Sequence, residues 1–189
     1  AAVKHPQNGT RLRDTCGLLR DYWYVACSAA ELKHEPLGRL VLGEALVLYR
    51  DLNGNVVCFR DRCLHRNTML SEGTLQGGCL KCPYHGWTFD SEGRCVSIPS
   101  ARPEDKTLPK KRLVAFPTRE AHGLIWAWMG DPKAIDKEPF PVPYWNDDGW
   151  RSYFMITMFD NDVTNCVENF MDVPHTVFVH SKWFRNKAN

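Results

Sequence analysis

Residues 79–87 read CLKCPYHGW and contain a Cys-x-x-His pair made of Cys82 and His85. A Cys-x-His pair, Cys63 and His65, lies upstream in the stretch DRCLHRN, and sixteen residues separate the two pairs. Thiolate sulfur and imidazole nitrogen are common protein ligands of zinc and of iron–sulfur centres. Either pair alone would mean little, but together they predict one four-ligand metal centre.

This donor set is compatible with two kinds of centre. Two Cys and two His complete a tetrahedral zinc site, or hold a [2Fe–2S] cluster with Cys on one iron and His on the other. Each pair is predicted at a β-hairpin tip, and Gly77, Gly78 and Gly86 let backbone amides approach bridging sulfides closely, which favours iron. Cys79 leaves an alternative open, since Cys79-x-x-Cys82 has zinc-knuckle spacing and Cys79 could replace or join a ligand.

The stretches CLHR and CPYHGW resemble the Rieske iron–sulfur motif, in which a Cys-x-His pair precedes a Cys-x-x-His pair. The resemblance implies that Cys63 and Cys82 hold one iron of a [2Fe–2S] cluster, and that His65 and His85 hold the other. Imidazole in place of thiolate raises the reduction potential of such a cluster to about −150 to +300 mV. We therefore expect a centre that accepts and passes on electrons readily.

A second group of polar residues lies in ENFMDVPHTVFVH, residues 168–180. His175 and His180 are five positions apart, and Asp172 stands three positions before His175. Five positions leave two side chains roughly 140° apart around an ideal helix, so both His can bind one metal only if the helix is broken. The alternative is a helix start with Asp172 as its cap and the His on the surface.

The pattern N-x-x-D-x-x-H-x4-H resembles the iron-binding segment of the Rieske non-haem iron oxygenases. The resemblance implies that His175 and His180 ligate a mononuclear Fe(II) as part of a two-His, one-carboxylate triad. It also implies that Asp172 bridges by hydrogen bonds to the cluster His of a neighbouring subunit, and that Asn169 lies close to the iron. The triad's carboxylate is expected after Asn189, so this sequence alone does not complete the iron site.

The resemblance also implies a function. Thr68 and Tyr84 stand where the Rieske subunits of respiratory complexes carry a second Cys, which favours the oxygenase and ferredoxin branch. The wording WYVACSAAEL, PLGR and NFMDVPH is similar to oxygenases that hydroxylate aromatic acids or demethylate aromatic ethers as homotrimers. We therefore expect a terminal oxygenase that takes electrons from a ferredoxin, an NAD(P)H-dependent reductase or both. It would use O2 to hydroxylate or demethylate a small aromatic substrate.

Two other functions remain open on the sequence. A Rieske-type electron-transfer protein without oxygenase activity explains the four-ligand motif but leaves residues 168–180 without a purpose. A structural zinc module that binds another protein uses the same four side chains and predicts a colourless sample. The content of iron and acid-labile sulfide separates the three functions.

The fold is expected to be mainly β. Between Arg39 and Arg60, short stretches rich in Val and Leu flank Asn53-Gly54, a strong signal for a β-hairpin. Further strands are predicted at residues 87–90, 95–98, 113–116 and 124–129. Strands this short predict a small antiparallel β-sandwich or barrel. With the resemblance, the implied fold class is a mainly β Rieske domain, a small antiparallel β-sandwich with two cluster-binding hairpins, followed by the start of an α+β catalytic domain.

Four segments are predicted along the chain. They are an N-terminal tail (1–19), the Rieske [2Fe–2S] domain (20–130), a linker (131–149) and the incomplete start of the mononuclear-iron catalytic domain (150–189). The linker is rich in proline, which neither a helix nor a central strand accepts readily. In the last segment, a strand is predicted at residues 151–159 and helical or mixed structure at residues 161–184.

Composition excludes some partners. The 189-residue chain has a formal net charge of +2, 43% hydrophobic and 24% charged residues, which argues against a dedicated nucleic-acid or membrane surface. No apolar run reaches a membrane span, and the first residues lack the hydrophobic core of a signal peptide, so a cytoplasmic location is expected. The eight cysteines then indicate metal ligation and small buried side chains rather than disulfides.

Overall fold

A computed structural model describes residues 19–102, 107–161 and 163–180 of the chain. The chain divides into two compact units between Trp145 and Asn146, and each unit is described by itself. The boundaries predicted from the sequence for the tail, the linker and the two domains stay predictions.

Strands dominate the first unit. In chain order, the described residues form β1 (Trp23–Ser28), β2 (Leu37–Val41), β3 (Glu44–Arg50), β4 (Val56–Arg60), β5 (Thr74–Gln76), β6 (Cys79–Lys81), β7 (Thr88–Phe89), β8 (Cys95–Ser97), β9 (Thr118–Ala121) and β10 (Leu124–Trp128). They pair as three antiparallel sheets, in the orders β1-β10-β9, β2-β3-β4 and β5-β6-β7-β8. The expectation of a mainly antiparallel β fold is confirmed.

The hairpin between β3 and β4 follows from its turn residues. Gly54 has a φ of 81°, in the left-handed region that glycine adopts without steric cost. The Asp51 carboxylate accepts hydrogen bonds from the backbone N–H groups of Asn53 (2.8 Å) and Asn55 (2.9 Å), so it holds the turn closed. The predicted Asn53-Gly54 hairpin is present.

Some short strands differ from the sequence prediction. Residues 113–116 were expected to form a strand, but they contribute only an isolated bridge between Ala115 and Phe59. In contrast, β1 and the short strands β5, β6 and β9 were not predicted. Strands of three or four residues, two of them largely polar, are too short to show an alternating hydrophobic pattern.

Three buried clusters make up the core of the first unit. One of them contains both Cys63 and Cys82, packed with Tyr49, Phe59, Phe89 and other apolar side chains. A second cluster lies between β1, β3 and β10, and the third consists of Trp23, Trp126 and Trp128. The two cysteines of the predicted metal centre are therefore part of a hydrophobic core.

The chain after Gly130 stays in contact with the sheet of β1, β10 and β9. A short 3-10 helix covers Pro132–Ala134. The carbonyl oxygen of Lys137 accepts a hydrogen bond from the indole N–H of Trp23 (2.7 Å), and Glu138 pairs with Arg119 (3.2 Å). The first half of the proline-rich segment thus packs on the β unit.

The second unit contains two helices among its described residues, α1 (Val163–Met171) and α2 (His175–Val179). Neither helix has a buried residue. The strand predicted at residues 151–159 is wrong: the segment is exposed and forms no ladder with any described residue, and a strand exists only by such pairing. The described helices are all too short or too polar to cross a membrane.

Candidate metal centres

The first ligand pair lies on a tight loop that follows β4. The backbone N–H of Cys63 donates to the carbonyl oxygen of Thr68 (2.9 Å), and the N–H of Asn67 donates back to the carbonyl oxygen of Cys63 (3.0 Å). Asn67 has a φ of 57°, a left-handed conformation that asparagine tolerates better than most residues. The loop buries the Cys63 side chain and leaves His65 exposed.

The second ligand pair lies on a loop of the same design between β6 and β7. The N–H of Cys82 donates to the carbonyl oxygen of Trp87 (2.8 Å), five positions on, and the N–H of Gly86 donates to the carbonyl oxygen of Cys82 (3.1 Å). Gly86 takes the left-handed position, with a φ of 71°. Cys82 is buried and His85 is exposed. Both loops therefore point a cysteine inward and a histidine outward.

The four predicted ligands meet as two pairs. Cys63 and Cys82 are 1% and 3% exposed and belong to the same core cluster. The imidazole rings of His65 and His85 lie with their centroids 4.7 Å apart. Burial raises the pKa of the Cys63 thiol to about 11, and the neighbouring Cys82 adds to the shift. The donor set thus has a buried sulfur end and an exposed nitrogen end.

This arrangement fits a [2Fe–2S] cluster better than a single zinc ion. A tetrahedral zinc site gathers its four ligands around one point. Within the described residues, no three His, Cys, Asp or Glu side chains form a group that could hold one metal ion. A [2Fe–2S] cluster with Cys on one iron and His on the other requires two separate pairs of donors, one pair of sulfur atoms and one pair of nitrogen atoms.

Aromatic rings surround the two histidines. The indole of Trp87 stacks on His65, with a centroid distance of 4.9 Å and an interplanar angle of 3°, and the Tyr84 ring contacts His85 at 4.0 Å. Desolvation by nearby atoms, the neighbouring His85 and the charge of Arg66 lower the pKa of His65, although its side chain is exposed. The neutral imidazole, which is the form that binds metals, is thereby favoured.

Cys79 lies apart from the two pairs. It begins β6 and pairs with Gln76 of β5, and it is not a member of the core cluster that contains Cys82. Cys79 is only partly buried, whereas Cys82, which follows the end of β6, is buried in that cluster. The geometry supports a ligand set without Cys79.

Asp61 holds the first loop in place, and sequence reasoning missed it. Asp61 is 5% exposed and is the one buried charged residue among those that the structure describes. It accepts hydrogen bonds from the N–H of Leu70 (2.5 Å) and from the N–H (2.8 Å) and hydroxyl (2.5 Å) of Ser71. The segment that carries Cys63 and His65 is therefore closed at its base.

The second group of predicted ligands lies around the break between α1 and α2. His175 is the first residue of α2, and His180 follows its last residue with non-helical backbone angles. Their ring centroids lie 5.5 Å apart. Because His180 has left the helix, the five-position spacing no longer forces the two rings apart.

The other predicted residues of this group lie beside the same break. Asp172 occupies the connection, and its carboxylate lies 3.8 Å from Nδ1 of His175. It is not the helix cap that the sequence also allowed, because Pro174 takes the N-cap position and no side chain caps the helix. Asn169 lies on α1 and is exposed. The described residues of this unit bring no third His, Cys, Asp or Glu into a metal-binding group with the two histidines.

Comparisons with known proteins agree with this geometry. Residues 22–117 match the family described as Rieske [2Fe-2S] domain. The oxygenase component of dicamba O-demethylase from Stenotrophomonas maltophilia is 39% identical over 168 residues, which cover 86% of this chain and 48% of that protein. The iron–sulfur subunit TsaM1 of the toluene-4-sulfonate monooxygenase system from Comamonas testosteroni is 35% identical over 86% of this chain and 46% of its own length.

Solved structures show the same likeness. Dicamba monooxygenase bound to dicamba superposes with a TM-score of 0.77 at 38% identity, over 86% of this chain and 48% of that one. NdmA from Pseudomonas putida CBB5 superposes with a TM-score of 0.78 at 32% identity, over 90% of this chain and 53% of that one. This chain therefore spans about half the length of these relatives.

Proposed function

Because the chain belongs to the Rieske [2Fe-2S] domain family, we propose that it serves in the oxygenase component of a Rieske non-haem iron oxygenase. In this role it takes electrons through the cluster to a mononuclear Fe(II) and uses O2 to hydroxylate or demethylate a small aromatic compound. A 3-chlorobenzoate-3,4-dioxygenase oxygenase subunit and two O-demethylase oxygenase components among the relatives support the reaction class. Electrons would come from a ferredoxin, an NAD(P)H-dependent reductase or both.

The observation that carries the proposal is the second pair of histidines. A pure electron carrier needs only the two ligand loops of the first unit. The electron-carrier function does not explain why the ring centroids of His175 and His180 lie 5.5 Å apart at a helix break, beside Asp172. Two imidazoles on one side of an iron leave room for a carboxylate and for open coordination positions, the donor set of O2-activating non-haem iron.

The residues of the first unit have separate tasks. Cys63 and Cys82 would hold the buried iron as thiolates, and His65 and His85 would hold the outer iron as neutral imidazoles. When bound, the cluster supplies one-electron transfer and the mononuclear iron supplies O2 activation. The exposed histidines give the redox-active end contact with a partner protein, while the hydrophobic core around the cysteines keeps water from the sulfur end.

The residues of the second unit bind and orient. His175 and His180 would supply two nitrogen ligands, with Asn169 near them on α1. Asp172 and His85 are both exposed, so a second copy of the chain can approach either residue. We expect the Asp172 carboxylate to accept a hydrogen bond from His85 of a neighbouring subunit in a homotrimer, which would orient the imidazole and couple proton movement to electron transfer.

Metal content tests the proposal on the full-length oxygenase polypeptide. The oxygenase predicts three irons and two acid-labile sulfides per chain, together with O2 uptake that depends on an aromatic substrate and a reductase. His175→Ala and His180→Ala should each lose the third iron and keep the visible spectrum of the cluster. Two irons per chain in the wild type, without substrate-dependent O2 uptake, would indicate an electron carrier. A colourless protein that contains zinc would indicate a structural module.

A further inference from the structure

Trp87 contacts both ligand loops. Its carbonyl oxygen accepts the Cys82 N–H at 2.8 Å and so closes the second loop. Its indole stacks on His65 of the first loop, 4.9 Å away between centroids and nearly parallel at 3°. We propose that Trp87 is a positioning residue that fixes the His65 imidazole, shields one of its faces from water and thereby lowers the reduction potential of the cluster.

His65 depends on ring contacts for its orientation. Its side chain is exposed, as are those of Arg66 and Asn67 beside it. Within the part of the chain that the structure describes, the aromatic contacts of the His65 ring are those with the Trp87 and His85 rings. A metal-binding histidine is usually oriented by a hydrogen bond from its second ring nitrogen, so the stacked indole takes over that task here.

The indole is itself firmly held. Trp87 is half-buried and packs against the core cluster that contains Cys63 and Cys82. The next residue, Thr88, begins β7, pairs with Lys81 and donates its hydroxyl to the Gly86 carbonyl oxygen (3.0 Å). Both the backbone and the ring of Trp87 are therefore held by contacts that do not involve His65. The stacking contact thus restrains the histidine, and the position of Trp87 does not depend on it.

The direction of the effect follows from charge. A cluster with two thiolate and two neutral imidazole ligands becomes more negative when it accepts an electron. Water around a ligand stabilises the more highly charged form, and an apolar ring that excludes water disfavours it. The stacked indole should therefore hold the potential below the value that the same ligands would have with His65 fully solvated.

The inference rests on the proposed cluster, but not on the oxygenase reaction, and three variants of the holoprotein test it. Trp87→Leu removes the stacked ring, Trp87→Phe keeps a smaller one, and Trp126→Leu removes an indole from the separate core of Trp23, Trp126 and Trp128. Midpoint potentials are measured by spectroelectrochemical titration and the reduced clusters by electron paramagnetic resonance. Iron and sulfide contents establish that each sample carries the cluster.

Trp87→Leu should shift the potential upward, so that the reduced-to-oxidised ratio at a fixed solution potential rises. Its g values should change, because His65 is freed to rotate. Trp87→Phe should give a smaller upward shift, and Trp126→Leu none. If Trp87→Leu does not retain its cluster, Trp87→Phe decides on its own.

The proposed role of Trp87 would be overturned if Trp87→Leu carried the cluster at an unchanged potential. If only Trp87→Phe carried the cluster, an unchanged potential in that variant would overturn it. An equal shift in Trp126→Leu would overturn it as well, since the effect would then come from general loosening. Failure of the oxygenase proposal looks different: the wild type would lack the third iron and substrate-dependent turnover, while the potentials of the cluster could still be compared.

Discussion

The carboxylate of Asp61 accepts hydrogen bonds from both the backbone N–H (2.8 Å) and the hydroxyl (2.5 Å) of Ser71. Ten positions separate the two residues, and the segment between them carries Cys63 and His65. A buried negative charge is costly unless its acceptors are satisfied, so this contact commits the chain to one loop conformation.

Replacing Asp61 should loosen the first ligand loop. Asp61→Ala leaves the buried N–H groups of Leu70 and Ser71 without an acceptor, at a cost of about 1–3 kcal/mol in the free energy of unfolding. We expect a lower denaturation midpoint and less iron and sulfide per chain than in the wild type. Glu72→Gln, at an exposed position in the same segment, is the control and should change neither value.

Changing the cysteines one at a time should separate ligands from bystanders. Cys63→Ser and Cys82→Ser remove the two buried sulfur donors, so we expect loss of the visible absorption of the cluster or a large change in it. Cys79→Ser should keep the wild-type spectrum and iron content, because Cys79 lies outside the core that contains the pair. A Cys79→Ser protein without colour would restore Cys79 as a ligand.

The parts of the fold that the sequence predicted share a local cause. The β3–β4 hairpin depends on Gly54, whose left-handed angle is a property of the turn itself, and β10 is a run of large apolar residues. Strands β5 and β9 pair with the next strand along the chain, β6 and β10, but they are only three and four residues long and largely polar. Local propensity therefore does not reveal them.

The candidate sites divide in the same way. The metal-binding pattern of Cys63, His65, Cys82 and His85 is visible because the chemistry demands those residue types at that spacing. Asp61 lies only two positions before Cys63 but acts on the far end of the loop, and the stacking of Trp87 on His65 joins two hairpins. Both roles exist only once the chain is folded, so no local pattern predicts them.

Asp172→Asn should slow turnover while both metals stay bound. The substitution keeps the shape of the side chain but removes the negative charge that would accept a hydrogen bond from a cluster histidine. In the full-length enzyme, the reduced cluster is mixed rapidly with O2 and substrate and its oxidation is monitored by absorbance. We expect the rate of this oxidation to fall by about 10–100-fold or more. Glu168→Gln, exposed on α1, is the control. An unchanged oxidation rate would remove Asp172 from the electron path.

Acid should weaken the contact between Glu31 and its neighbours. Hydrogen bonds from the N–H (2.8 Å) and hydroxyl (2.9 Å) of Ser28, together with Arg39, lower the pKa of Glu31. A lowered pKa in the folded state stabilises the protein above the unfolded value of about 4.3, and this contribution is lost as the pH falls through the folded value.

Glu31→Gln should therefore be less stable than the wild type at neutral pH, by less than about 1 kcal/mol because the pair is partly solvated. The difference should shrink below about pH 4. Urea unfolding of both proteins across this range measures it, with Glu35→Gln as the exposed control. A difference that stays constant with pH would show that the charge of Glu31 is not the cause.

Gly86→Ala should disturb the second ligand loop more than a strained backbone alone would. Gly86 has a φ of 71°, and a Cβ added there would lie 2.9 Å from Cγ of Pro99. Gly77 is a matched control, because its φ is 58° but an added Cβ would meet nothing within 4 Å. Gly77→Ala should cost about 1–2 kcal/mol, the penalty for a left-handed alanine.

The comparison isolates the contact with Pro99. Gly86→Ala should have a lower unfolding midpoint than Gly77→Ala, and it should also lose cluster, because the Gly86 N–H donates to the Cys82 carbonyl oxygen (3.1 Å) and any shift of the backbone moves His85. Gly77 was expected from the sequence to lie near the cluster, but it lies in the β5–β6 turn, which carries no ligand, so Gly77→Ala should keep its full iron and sulfide content. Equal losses of iron in the two variants would contradict this prediction. They would mean that Pro99 moves aside for the new methyl group, so that the close packing around Gly86 does not determine the shape of the loop.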